Sequence, residues 1–247
     1  MEDTATPTKA SVLSALTNLI LDPILMFGLG MEARGQILRS ILTSNISMLL
    51  KQSSLLLAWA YSTRRAALLG SKTAAAHQIG LTSWLLFALV SEGPSIATQV
   101  IAAKEGMNEG TLGELFWYTC KLAIVVGVGC SLCLKVLEPV ILGVFTNDVK
   151  VRLALKGIMK PIVLIQPLIT ATLMLEGMAI GGGKYKTLAI GNVASTVWSI
   201  GVINRSQGLG EVWGKGIVAL FLGRLGTAVW SVRGMRRGRD EERKEEE

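Results

Sequence analysis

Charge is scarce in this chain: 17% of its 247 residues are Asp, Glu, Lys or Arg. It has one histidine, His77, and three cysteines, Cys120, Cys130 and Cys133. Each shortage removes a class of function. A single histidine without a serine elbow argues against a hydrolase triad. Cys130-x-x-Cys133 has no second pair and no nearby histidine, so no metal site and no disulfide are expected. The three thiols read as packing or lipid-facing groups of one apolar run. Gly181-Gly182-Gly183-Lys184 fails the phosphate-loop pattern, because Met178 and Tyr185 stand where glycine and a hydroxyl residue belong. The start of the chain, MEDTATPTKA, lacks the basic lead of a secretory signal and the arginine-rich, acid-poor character of a transit peptide. Neither an enzyme nor an organic cofactor is expected.

Apolar residues fill the space that charge leaves. Half of the chain is hydrophobic and the mean hydropathy is +0.48. A membrane span needs about 20 mostly apolar residues. Runs of that kind lie near 11–29, 41–61, 75–103, 115–138, 161–180, 187–203 and 213–232. Without water in the hydrocarbon, each must satisfy its own backbone, so each is expected to be helical. The fold class is therefore all-α, a polytopic transmembrane helix bundle in the lipid bilayer. The 27 glycines suit the close helix approach that packing in lipid requires.

The net charge of +7 does not come from the tail, because 233–247 carries six basic and six acidic residues. A basic excess on loops fits anionic headgroups. No aromatic-studded basic groove accompanies it, so nucleic acid is not an expected partner. The positive-inside rule leaves the orientation open, since basic residues fall on both sides. The connections are short. Thr146-Asn147-Asp148 offers capping side chains before an amphipathic stretch, 149–159. Gly181–Lys186 and Ser206–Gly210 read as glycine turns.

Lys51, Glu92 and Glu176 are ionisable residues that stand inside the apolar runs. Near a helix centre each costs about 2.5–3.5 kcal/mol on insertion scales, so each should find a partner or a wet cavity. Lys51 and Glu92 fall at similar depth on consecutive runs and are expected to pair. At 100° per residue Gln78, Glu92, Ser95 and Gln99 share about a third of one helix surface, with His77 at its edge. This face is expected to point to the bundle interior or to an open surface between lobes. Gln166, Thr170 and Glu176 form a looser polar face on a run that Gln166-Pro167 and Gly177 are expected to bend.

These residues resemble the C-terminal half of the multidrug and toxic compound extrusion (MATE) family. The stretch Ala74-Ala75-Ala76-His77-Gln78-Ile79, then Trp84, then Ser91-Glu92-Gly93-Pro94-Ser95 and Gln99, resembles its eighth helix. Phe145-Thr146-Asn147-Asp148 resembles the loop after the ninth. Leu175-Glu176-Gly177 with Gly181–Lys186 resembles the tenth, and Asn18, Asp22-Pro23 and Phe27-Gly28-Leu29-Gly30 the fifth. Glutamate at 92 and 176, where many members carry aspartate, together with Lys51, is similar to the plant plastid subgroup related to salicylate exporters.

The resemblance implies two six-helix lobes around a substrate cavity, with efflux of small organic molecules against a proton or sodium gradient. On that reading 1–40 is a polar lead with one hydrophobic helix, 41–232 a six-helix C-lobe, and 233–247 a charged tail. The first four helices and the sixth have no counterpart, so a truncated form lacking its N-lobe is expected. In the family the fifth and seventh helices cross in the same direction. Gly30–Ser40 is too short and too charged to return the chain across lipid, so 11–29 is expected to invert against 41–61 or lie at the bundle edge. Lys51, His77, Gln78, Glu92, Gln99, Gln166 and Glu176 are the candidate substrate- or ion-binding residues. The resemblance implies an integral multi-pass protein of the plastid envelope, or otherwise of the plasma or vacuolar membrane. The other expectation is a non-transporting subunit that pairs with or regulates a full-length relative.

Overall fold

The computed structural model of the protein describes residues 35–104 and 109–246. The hydrophobic run 11–29 and its expected orientation lie outside them. The chain divides into two units, Met1–Leu49 and Leu50–Glu247. Of the first, the described part is the beginning of a helix.

The described residues are helical throughout. Their order is α1 (Gly35–Leu68), α2 (Ser71–Ala102), α3 (Glu109–Val144), α4 (Val149–Leu164), α5 (Gln166–Gly181), α6 (Tyr185–Arg205), α7 (Leu209–Glu211), a π-helical segment (Val212–Ile217) and α8 (Val218–Glu246). Four helical stretches among them are long and apolar enough to cross a membrane: Ser71–Ala102, Gly110–Val144, Tyr185–Arg205 and Leu209–Met235. A fifth span arises if α4 and α5, bent by 48°, are taken together. Four, or with the bent pair five, of the six spans expected over 41–232 meet this length and hydropathy. The run 41–61 is helical and long, but Asn45, Lys51, Gln52 and its serines dilute its apolar character, and it is not among these spans. The expected span 161–180 is instead the second arm of the bent pair.

Local chemistry places the helix ends. Asp148 caps α4: its carboxylate accepts from the backbone N–H of Lys150 at 2.8 Å and of Val151 at 3.3 Å. The break between α4 and α5 falls at Ile165, two residues ahead of Pro167, which has no N–H to give to Val163 O; Ser131 Oγ donates to that carbonyl instead at 2.8 Å. α5 ends at Gly181 and is closed off by Gly183, with φ +73°, and by Lys184 N–H donating back to Ala179 O at 2.9 Å. Gly177 does not bend α5. It sits against α2, where an added Cβ would stand 2.5 Å from Ser95 O. The tail continues α8 as helix through Glu246.

Leu50–Glu247 buries two apolar clusters. One gathers Trp59, Trp84, Phe87, Ile158, Ile162, Trp213 and Phe221. It lies toward the end carrying the connections at 69–70, 145–148 and 206–208. Arg65 Nε donates to Ser206 O at 2.9 Å, and Lys72 pairs with Asp148, tying these three connections together. The other cluster gathers Ala102, Leu112, Leu175, Met178, Leu188, Ala228 and Val232 toward the opposite end. Between the two, α5 passes from Ile169 to Leu175 and α8 from Phe221 to Ala228. That interval is polar, and it contains Glu176's partner residue.

Candidate functional site

Glu176 is 1% exposed and is met by two cations. Arg224 on α8 grips it with both prongs of the guanidinium, Nε to Oε1 at 2.9 Å and Nη2 to Oε2 at 2.8 Å. Lys51 on α1 adds its ammonium to Oε2 at 2.8 Å. Three helices thus converge on one carboxylate. A parallel two-point contact is the strongest form of arginine–carboxylate recognition. The Arg224 side chain is 3% exposed and that of Lys51 13%, so the cluster is nearly dry. Arg224 also lies over the Phe221 ring, 5.1 Å from its centre.

The interval around this cluster is built from short hydroxyl side chains and one amide. Ser91 and Thr170 share a hydrogen bond at 2.9 Å, and Ser95 Oγ donates to Leu173 O at 2.7 Å. Thr172 Oγ1 donates to Leu168 O at 2.7 Å and stands 3.4 Å from Phe221 O on α8, while Thr196 donates to Ser54 O. Asn192 on α6 is 2% exposed, and neither atom of its amide has a partner among the described residues. Arg224 Nη1 is likewise unpaired there. Gly191 faces Thr227 and Gly223 faces Ser195, so α6 and α8 run antiparallel with Asn192 close to the level of Arg224. The bonds Thr196–Ser54 and Arg65–Ser206 set α1 parallel to α6, which brings Lys51 to that level too. One negative and two positive charges share this layer, leaving it with an excess of hydrogen-bond donors.

The expected Lys51–Glu92 pair does not form; Lys51 belongs to Glu176. The reason is the rotation of α2. Ser91 and Ser95 face α5, and Glu92, 100° further round from Ser91, lies on the exposed surface without an ion pair among the described residues. Gln78 is exposed as well and Gln99 half-buried, so of this face only Ser95, with His77 at its edge, turns inward. Gln166 does. It is fully buried, its Nε2 donates to Ile162 O at 3.3 Å, and its Oε1 is unpaired.

His77 is also fully buried, but in the first apolar cluster, away from Glu176. The Trp213 indole N–H donates to its Nδ1 at 3.1 Å, so the ring proton belongs on Nε2. Nε2 stands 3.3 Å from both Ser62 Oγ and Thr63 Oγ1. Ser62 already donates to Trp59 O at 2.8 Å, and so accepts from the ring. Both ring nitrogens are engaged, which makes His77 a positioning group for the π-helical segment that carries Trp213.

Arg224 is the functional candidate that sequence reasoning missed. Its signal was present: a basic residue inside the apolar run 213–232, needing a buried acid as much as Lys51 does. The cysteines are free thiols, Cys130 buried, Cys120 half-buried and Cys133 exposed. Among the described residues no group of His, Cys, Asp and Glu is arranged to hold a metal ion.

Comparison with known proteins agrees with this architecture. The family model described as MatE matches residues 44–203. Two Arabidopsis thaliana proteins are similar. Protein DETOXIFICATION 43 is 25% identical over 86% of this chain and 48% of its own length. Protein DETOXIFICATION 44, chloroplastic, is 24% identical over 93% of this chain and 51% of its own. The chain spans about half the length of these curated relatives. No solved structure matches. The family match covers well over half of the sequence and includes Lys51, Glu92, Glu176 and Asn192, with Arg224 beyond its end: the chain belongs to the MatE family.

Proposed function

We propose that this membrane protein works as the C-lobe part of a MATE-type secondary transporter, exporting small organic molecules against a proton or sodium gradient. The supporting observation is the dry Lys51–Glu176–Arg224 cluster between two apolar cores. A carboxylate that joins three helices is a place where one small cation changes the packing. A proton on Glu176 would remove the charge that holds Lys51 and Arg224, and the two cations would then repel. Sodium would act by competing for the same oxygens. Gln166 and Asn192 supply hydrogen-bonding capacity nearby. Glu92 and Gln78, on the exposed face of α2, belong on this reading to the side that a second lobe or a full-length relative would cover. A plastid envelope location is supported by the chloroplastic relative alone; the plasma and vacuolar membranes are the other candidates.

The test is flux in proteoliposomes containing the chain, with ethidium and salicylate as cationic and anionic probes, under an imposed proton or sodium gradient. Gradient-dependent flux that is lost in Glu176→Gln supports the proposal and identifies the coupling ion. Absence of flux with either ion, together with co-purification of the chain with a full-length relative, would favour a non-transporting subunit instead.

A further inference from the structure

Away from the Glu176 layer, two open cavities join on the outside of α4. The deeper one, about 420 Å³, is walled by Pro161, Leu164, Leu168 and Val218, with Gly157, Gly210 and Gly214 along its floor. The other, about 340 Å³, lies at the loop end beside Leu69, Thr73, Gln207 and Gly208. They meet at Gly157 and Gly210, which line both. Nothing stands within 4 Å of where a Cβ would sit on either glycine, and the nearest atom to one on Gly214 is Pro161 Cβ at 3.9 Å. The groove is open because side chains are absent from its floor. It is apolar at depth and polar at its outer end.

The cations around it lack protein partners. At this end of the bundle the acids Glu138, Asp148 and Glu211 are each paired with a lysine: Lys135, Lys72 and Lys215. Arg64, Lys150, Lys156, Lys160 and Arg205 remain exposed, with no ion pair among the described residues. Lys160 lines the deep cavity itself, and Lys156 lies one turn before it on the same helix face. Lys160 stands about 18 Å along α4 from Asp148, beside the apolar side chains of the groove, where a charge without a partner is costly. Helical side chains lean toward the N-terminus, which aims Lys160 back to the junction at Gly157.

We propose that this groove is a binding site for an anionic phospholipid. The phosphate sits at the Gly157–Gly210 junction against Lys160, with Lys156 flanking. The headgroup occupies the outer cavity by Thr73 and Gln207. One acyl chain runs inward over Gly214 toward Leu168. The argument is charge complementarity joined to shape: five free cations, no free acid among the described residues at this end, and a groove polar outside and apolar within. It does not depend on transport by the Glu176 site.

The experiment reconstitutes the full chain in phosphatidylcholine vesicles containing phosphatidylglycerol, extracts it in mild detergent, and measures retained lipid by native mass spectrometry. Retained phosphatidylglycerol should exceed its share of the vesicle. Lys160→Gln should lower the enrichment about fivefold, the effect of one basic residue at a lipid surface. Lys160→Arg should keep it, and Gly157→Leu, which fills the junction without removing charge, should abolish it. Lys104→Gln, at the other end of the bundle, should leave it unchanged. Thermal unfolding in detergent confirms that each variant is folded, and substitutes at the same positions replace any that is not. Equal retention of both lipids overturns the proposal. So does an equal loss in Lys104→Gln and Lys160→Gln, which would show only general surface charge. Displacement of the retained lipid by inorganic phosphate would show an anion site without an acyl groove, and would overturn it as well.

Discussion

Two glutamates in apolar helices meet opposite fates. Glu176 on α5 is buried with two cations on it; Glu92 on α2 is exposed and has none among the described residues. Nothing in their immediate sequences, Leu-Glu-Gly and Ser-Glu-Gly, separates them. What separates them is which neighbour shares their helix face. Thr172, one turn before Glu176, faces α8 with its hydroxyl 3.4 Å from Phe221 O, and the same side of α5 carries Glu176 to Arg224. On α2 the inward side belongs to Ser91 and Ser95, and Glu92 is turned away. A charged residue in an apolar helix therefore finds a buried partner only where helix rotation turns it inward; matched depth alone does not make the pair.

The largest effect should come from breaking the buried member. Glu176→Gln strands Lys51 and Arg224 without a counter-charge, and should destabilise the folded protein by about 3–5 kcal/mol. Glu92→Gln should change stability by less than about 0.5 kcal/mol. Denaturant or thermal unfolding in detergent measures both. A large loss at Glu92 would mean that it holds the bundle as firmly as Glu176 does.

The contrast sharpens with paired substitutions. A double-mutant cycle of Lys51→Met with Glu176→Gln should give a coupling of about 0.5–3 kcal/mol, and the cycle of Lys51→Met with Glu92→Gln none within error. Coupling confined to the second cycle would reverse the assignment.

Accessibility gives a smaller but cleaner reading. Cysteine placed at 92 or 78 should react with a thiol reagent in intact proteoliposomes. Cysteine at 166 should stay protected until the protein is unfolded.

The smallest effect concerns Asp148, a carboxylate outside the spans. The Lys72 ammonium, and then the Lys150 backbone N–H, hold it below the usual carboxylate range. A depressed value means that the stabilisation is fully present above the unfolded pKa of about 3.9 and is lost as pH falls through the lower folded one. Amide exchange at Lys150 and Val151, corrected for intrinsic rate, should therefore be flat from pH 8 to 5 and lose protection only in stronger acid. Loss of protection near neutral pH would contradict the cap.

What could be read from sequence follows the range of the forces involved. The Asp148 cap, the break beside Gln166-Pro167 and the turn at Gly181–Lys186 are set by residues adjacent in the chain, and all three stand where expected. The run 75–103 emerges as one helix for the same reason. The Lys51–Glu92 pairing failed because helix rotation is decided by packing across the bundle. Arg224 was missed because the apolar residues around it masked a single buried charge. The π-helical turn at Val212–Ile217 has no local signature; it is stabilised from outside, by Trp213 reaching His77 and by Ser199 donating to Gly216 O at 2.7 Å. Gly177 was expected to bend its helix, whereas its missing side chain makes room for a neighbour.

That missing side chain fixes more than a distance. Gly177 lies on Ser95 and Gly181 on Gln99, four residues apart on both helices, with backbone close to backbone. Slipping α5 by one turn along α2 would drive Leu173 into a gap that does not admit even a methyl group. The two helices are thus keyed at a single register, and Glu176, next to the key, has its depth along α2 fixed by it. Across the 48° elbow at Ile165, α4 is keyed to the same helix by Ile158 and Ile162 at Gly80, so α2 sets the register of both arms.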